Sequence, residues 1–139
     1  MIRSFKELEV WKNAMAAAMI IFRESKRFPP EERYSLTDQI RRSSRSVATQ
    51  IAEAWKKRRY VAAFISKLND SEGEAAETQN WVEFARACGY WGDDLARDLD
   101  HRYEVIQGQL VKMIDHADEW CAPIAANRPR PPRGVEMRG

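Results

Sequence analysis

An antiparallel up-and-down four-helix bundle is the all-α fold this sequence predicts, on three observations. In the last third, Leu99, Tyr103, Ile106, Leu110, Met113, Ala117 and Trp120 recur in alternating steps of four and three, which holds one apolar stripe on one side of a helix. Three earlier segments have helical periods of their own, and the breaks fall at Phe28-Pro29-Pro30, at the cluster 56–59 and at Gly89 with Gly92. Only 6 glycines in 139 residues argue against an all-β chain dense in turns. The expected organisation is one bundle domain at 1–121 and a disordered basic tail at 122–139.

The first helix is expected from Ser4 to Arg27. Ser4 and Glu7 form an S-x-x-E capping box, and Leu8, Trp11, Met15, Ala18 and Phe22 have the spacing of a bundle seam. Val10, Ala14, Ala17 and Ile21 form a second row beside it, so the apolar surface is wider than one stripe and predicts cover from a second copy of the chain as well as from the bundle.

Phe28-Pro29-Pro30 then forces the chain out of helical geometry. Ser35 is a suitable N-cap for the second helix, with Asp38 in its first turn. From Ile40, the residues Val47, Ile51 and Ala54 return to one side. Arg41, Arg45, Lys56 and Arg59 share a separate arc with Arg42 beside it, and Lys57 and Arg58 complete the basic end. Ser43, Ser44, Ser46 and Ala48 are small enough to admit a neighbouring helix closely. The third helix is expected from about Tyr60 to Gly89, with Val61, Phe64, Ile65, Leu68, Ala75, Val82 and Ala85 at helical spacing and with Gly73 as a point of close backbone packing. The fourth starts at Asp93 and is expected to close at Pro123. Beyond it, Pro129-Arg130-Pro131-Pro132-Arg133 suits a solvated terminus.

The net charge of +2 conceals a division. Residues 41–59 carry seven Arg or Lys against Glu53 alone, while residues 70–119 carry thirteen Asp or Glu against Arg86, Arg97, Arg102 and Lys112. The candidate nucleic-acid-binding set is therefore Arg41, Arg42, Arg45, Lys56, Lys57, Arg58 and Arg59, which would meet phosphates without reading sequence. The same charges would also suit a solvated face or a neighbour's acidic helices, and the 56–59 cluster complements the helix dipole.

Catalytic and metal-binding patterns are absent. A di-iron bundle requires paired Glu-x-x-His motifs, and the nearest match is a single Asp98-x-x-His101. There is no phosphate-binding glycine loop, and neither Cys88 nor Cys121 has a nucleophile signature. Both are expected to be reduced and packed among helices. The longest apolar run, Ala14 to Phe22, is too short to span a bilayer, and Glu7 and Glu9 ahead of it do not suit a signal peptide. A cytoplasmic protein with no enzyme activity, metal or cofactor is expected.

The run Phe28-Pro29, Glu31-Glu32, Tyr34, Leu36, Gln39-Ile40-Arg41-Arg42-Ser43, Ser46-Val47 and Ile51-Ala52-Glu53, with Phe5, Leu8, Val10 and Trp11 before it, resembles the four helix bundle protein family, also called the 23S rRNA intervening-sequence protein family. Phe64, Leu68, Ser71 and Glu74 extend the likeness, whereas Gln50 and Ala54 stand where members commonly carry Asn and Gly. The resemblance implies an up-and-down bundle that assembles as a homo-oligomer, usually a pentamer. Members are encoded within insertions in large-subunit rRNA genes, and a related group assists the reverse transcriptases of diversity-generating retroelements by binding nucleic acid through a basic surface. Two readings follow: an accessory factor that binds RNA or DNA, or an interaction scaffold whose partner is a reverse transcriptase or another protein. In either, the resemblance carries over the Gln39–Ser43 run and Glu53, and an intersubunit or interhelical ion pair between Glu53 and an arginine of the second helix is expected beside it.

Overall fold

The computed structural model describes residues 1–126, and the part of the expected tail from Asn127 onward lies outside them. The α-helices are α1 (Glu9–Glu24), α2 (Leu36–Lys56), α3 (Val61–Ala87), α4 (Asp93–Asp115) and α5 (Ala117–Ala126), with no strand among the described residues. Contacts close a ring in which each of the first four helices packs on its two neighbours, and α5 packs on α3 and α4. As residue numbers rise along α2 their partners on α3 fall: Ser43 meets Thr78, the Val47 carbonyl meets Ser71 and Gln50 meets Lys67. The two helices are therefore antiparallel. The same reversal relates α3 to α4, through Gln79 with Gln107 and Arg86 with Asp93.

Helical period places the core. Ile40, Val47, Ile51 and Ala54 of α2 are buried, as are Phe64, Leu68, Ala75, Val82 and Ala85 of α3. On α4 and α5, Leu99, Tyr103, Ile106, Leu110, Met113 and Ala117 line the centre. Truncating one such side chain to alanine typically costs about 2–5 kcal/mol, because a cavity remains. Close approach of α2 and α3 depends on small residues. Thr78 donates to Ser43 Oγ at 2.8 Å and Ser71 donates to the Val47 carbonyl at 2.9 Å, all four residues being buried.

Five expectations are corrected. The Ser4–Glu7 capping box forms, but it caps a 3₁₀ turn, Phe5–Glu7, and Leu8 turns extended into the core before α1 begins. Within α1, the second row is the better core: Val10, Ala14, Ala17 and Ile21 are buried, whereas Met15 and Met19 are exposed and Trp11 and Phe22 half-covered. The fourth helix breaks at His116 and resumes as α5, which runs as far as Ala126, the last described residue, and carries Pro123 in its interior: a proline's φ is compatible with a helix although it removes one N–H donor. Gly73 is exposed with open space where a Cβ would stand, so it marks no close packing. Gly89 does need its lack of a side chain, since its φ of 77° ends α3 in the left-handed region. Cys121 is buried among helices as expected, but Cys88 is exposed at the end of α3. No described helix is long and apolar enough to cross a membrane.

Candidate nucleic-acid interface

The approach to α2 is built by its prolines. Pro29 leaves the chain extended, a 3₁₀ turn at Pro30–Glu32 follows, and Arg33, Tyr34 and Ser35 complete the bend. Ser35 makes no side-chain cap. Glu32 replaces it: one carboxylate oxygen accepts from the Leu36 N–H at 3.3 Å and the other from the Tyr90 hydroxyl at 2.9 Å. A carboxylate here faces the positive end of the α2 dipole. That hydrogen bond, with some burial, pushes the Tyr90 phenol up to about 12.

This anchored bend overhangs the first turns of α2. Arg33, Arg41, Arg42 and Arg45 line one open depression of about 700 Å³, with Tyr34 and Asp38 at its edge. Four guanidinium groups thus share one surface with a single carboxylate. Hydroxyls of Thr37, Ser46 and Thr49 lie in the same lining, though Thr49 already donates to the Arg45 carbonyl at 3.0 Å.

The arginines are not equivalent. Arg41 is half-buried and clamps α1: its Nε donates to Ser25 Oγ at 2.8 Å, its Nη2 to the Phe22 carbonyl at 3.3 Å, and its guanidinium lies 5.0 Å from the Phe22 ring centre. Arg45 borders the same ring at 5.7 Å but is exposed. Arg42 projects toward α3, where it opposes the burial and the neighbouring Glu77 that together hold the Glu74 carboxyl above its usual range. Among the described residues, Arg33, Arg42 and Arg45 form no salt bridge, which leaves their charges available.

The other four predicted cations stand apart. Eleven residues separate Arg45 from Lys56, about 16 Å along the axis. Lys56, Lys57 and Arg59 are exposed around the helix end. Arg58 is half-buried, stacks 3.4 Å from the centre of the Trp55 ring and donates to the Trp55 carbonyl at 2.9 Å. Burial lowers its pKa, against the opposing effect of the nearby Cys121. Glu53 pairs with Lys67 of α3 at 2.8 Å rather than with an arginine of its own helix, and that bond raises the Lys67 pKa. Gln50, at the position commonly Asn in the resembled family, accepts from the same Lys67 at 3.4 Å. Asp98 pairs with Arg102 at 3.0 Å.

Sequence reasoning therefore found the helix but missed Arg33 and Tyr34. The available signal was an Arg-Tyr pair in a proline-bounded turn directly ahead of a basic helix.

The sequence model for the 23S rRNA-intervening sequence protein matches residues 6–112, which include every helix from α1 to α3 and most of α4. The chain belongs to that family. Among solved structures it is similar to a protein of unknown function from the S23 ribosomal protein family of Bacteroides thetaiotaomicron. The two are 27% identical with a TM-score of 0.68, over 76% of this chain and 97% of that one. No curated protein matches the chain. The arginine depression, formed by residues 33–49, lies wholly inside the matched span.

Proposed function

We propose that this family member is a non-enzymatic, cytoplasmic accessory factor that binds nucleic acid through the N-terminal half of α2 and acts as a homo-oligomer, with the pentamer implied by its family resemblance as the expected form. The observation that carries this reading is the convergence of Arg33, Arg41, Arg42 and Arg45 on one open depression in a chain whose net charge is only +2. A concentration of cations on one face of a nearly neutral molecule is suited to a polyanion. Repetition of the face around a ring would multiply weak contacts through effective concentration. Lys56, Lys57 and Arg59 would extend the path of the phosphate backbone toward the far end of α2.

The test is light scattering and fluorescence anisotropy on the purified chain with a short structured RNA. Complex formation at about 50 mM salt and release near 200 mM is expected, since phosphate contacts lose most of their affinity over that range. A chain that ignores RNA and DNA at both salts sinks the proposal.

A second reading, an interaction scaffold for a protein partner such as a reverse transcriptase, is favoured by one observation. Met15 and Met19 are 38% and 41% exposed beside the half-covered Phe22, an apolar strip on α1 bordering Arg41 and Arg45. If that strip is a protein interface, Met15→Lys with Met19→Lys should dissociate the assembly or its partner while leaving the fold intact.

A further inference from the structure

We infer that the depression on α2 takes single-stranded nucleic acid, with an unpaired base stacked on the Tyr34 ring and the flanking phosphates held by Arg42 and Arg45. This rests on the nucleic-acid reading above and specifies its ligand.

The inference begins with Tyr34, which is 85% exposed. Among the described residues its ring has one aromatic or cationic neighbour, the Arg33 guanidinium, which lies over one face 5.5 Å from the ring centre. A tyrosine so exposed adds little to the core, yet the turn that carries it is hydrogen-bonded on either side. The Arg33 N–H donates to the Pro30 carbonyl at 3.1 Å and the Ser35 N–H to the Glu32 carbonyl at 3.0 Å, while the Glu32 side chain ties the bend to both α2 and Tyr90. The result is an aromatic platform presented on a rigid bend, which reduces the ordering cost of stacking a ligand on it.

The surroundings select the ligand. Arg42 and Arg45 are three residues apart and so neighbours on one helix face. Both are exposed, and both line the depression that Tyr34 borders. Arg41 is committed to Ser25 and Phe22, so it serves as a fixed wall rather than a mobile contact. An aromatic face beside free guanidinium groups is the chemistry of single-strand binding, in which bases stack and phosphates are neutralised. A duplex presents phosphates to the arginines equally well, but its base faces are covered by their neighbours and offer nothing to the ring. Asn and Gln, the usual readers of adenine, are absent from the lining. Binding should therefore tolerate sequence and discriminate by strandedness.

The test is fluorescence anisotropy with the full chain at about 50 mM salt, using labelled oligo(dT), oligo(U) and a DNA duplex of the same length. The two single strands distinguish DNA from RNA as the source of the shared chemistry. Either single strand is expected to bind about tenfold more tightly than the duplex, a difference of about 1.4 kcal/mol. Tyr34→Ala should abolish that preference while leaving duplex affinity within about twofold, and Tyr34→Phe should retain it, as expected of stacking. Equal affinity for single strand and duplex, or an unchanged preference in Tyr34→Ala, overturns the inference and leaves the nucleic-acid reading standing. Loss of the oligomer in Tyr34→Ala, followed by light scattering, overturns it in favour of a subunit contact. No binding of any probe overturns both.

Discussion

At its N-terminal end α2 meets an anchored bend, and the exposed Arg42 and Arg45 share a depression with Arg33 and Tyr34; at its C-terminal end Lys56, Lys57 and Arg59 are exposed around the last turn and, among the described residues, share no such depression. Each end also holds one arginine inward, Arg41 against Phe22 and Arg58 against Trp55. Equal charge thus has unequal uses. A guanidinium stacked on a ring and bonded to a carbonyl ties elements together, and one left in solvent can meet a ligand. The difference lies in what surrounds each end and in the cations themselves, arginines alone in the depression against Lys56 and Lys57 beside Arg59 at the far end.

The largest effect should come from the inward arginine of the first end. Arg41→Ala removes two hydrogen bonds and a cation–π contact between α1 and α2, so a loss of about 2 kcal/mol is expected, read as a fall in Tm of several degrees. A neutral outcome would remove the division between clamp and contact.

Next comes the comparison of ligand contacts. Arg42→Gln with Arg45→Gln should weaken single-strand binding about tenfold and reduce the magnitude of the slope of log K against log salt by about 1.4, with a smaller change in Tm than Arg41→Ala. Lys56→Gln, Lys57→Gln and Arg59→Gln together should weaken it less, by about threefold, because those charges lie beyond the platform. If the second set proves the stronger, the interface belongs at the other end of the helix. Glu53→Gln should leave assembly unchanged, since Glu53 pairs with Lys67 of the same chain.

Smaller still is Arg58→Ala, which should cost about 1 kcal/mol through loss of the Trp55 stack and its capping bond, measured by denaturant unfolding.

The last effect concerns the bend. Tyr90 donates to Glu32 only as the neutral phenol, and folding raises its pKa from 10.0 to about 12. Its contribution is therefore full below pH 10 and is lost as pH rises toward 12. Tyr90→Phe should flatten the stability profile over that window relative to the parent chain. An identical profile would mean that Glu32 anchors the bend without Tyr90.

The helices were legible wherever one side of the period was apolar and the other charged, as from Leu99 to Met113, where each expected core residue is buried. The first helix was less legible because two apolar rows ran side by side. Alanine is small enough to sit at the bundle centre, and methionine flexible enough to lie outside it, so composition could not rank the rows. Of the site, Arg41, Arg42 and Arg45 were visible as a stripe, whereas the inward turn of Arg41 depended on Phe22 and Ser25, sixteen or more residues away in sequence.

By itself the sequence determined the all-α class, the number of long helices, the inward sides of α2, α3 and α4, and the concentration of positive charge on α2. These follow from local period and from prolines and glycines, whose conformational limits act within a few residues. Only the tertiary structure decided which row of α1 is core, that Glu32 rather than Ser35 caps α2, that Glu53 meets Lys67, and that Arg33 and Tyr34 stand over the arginines of α2. Each of those depends on the packing of neighbouring elements or on the path of a bend, and helical period carries no information about where a side chain's partners come from.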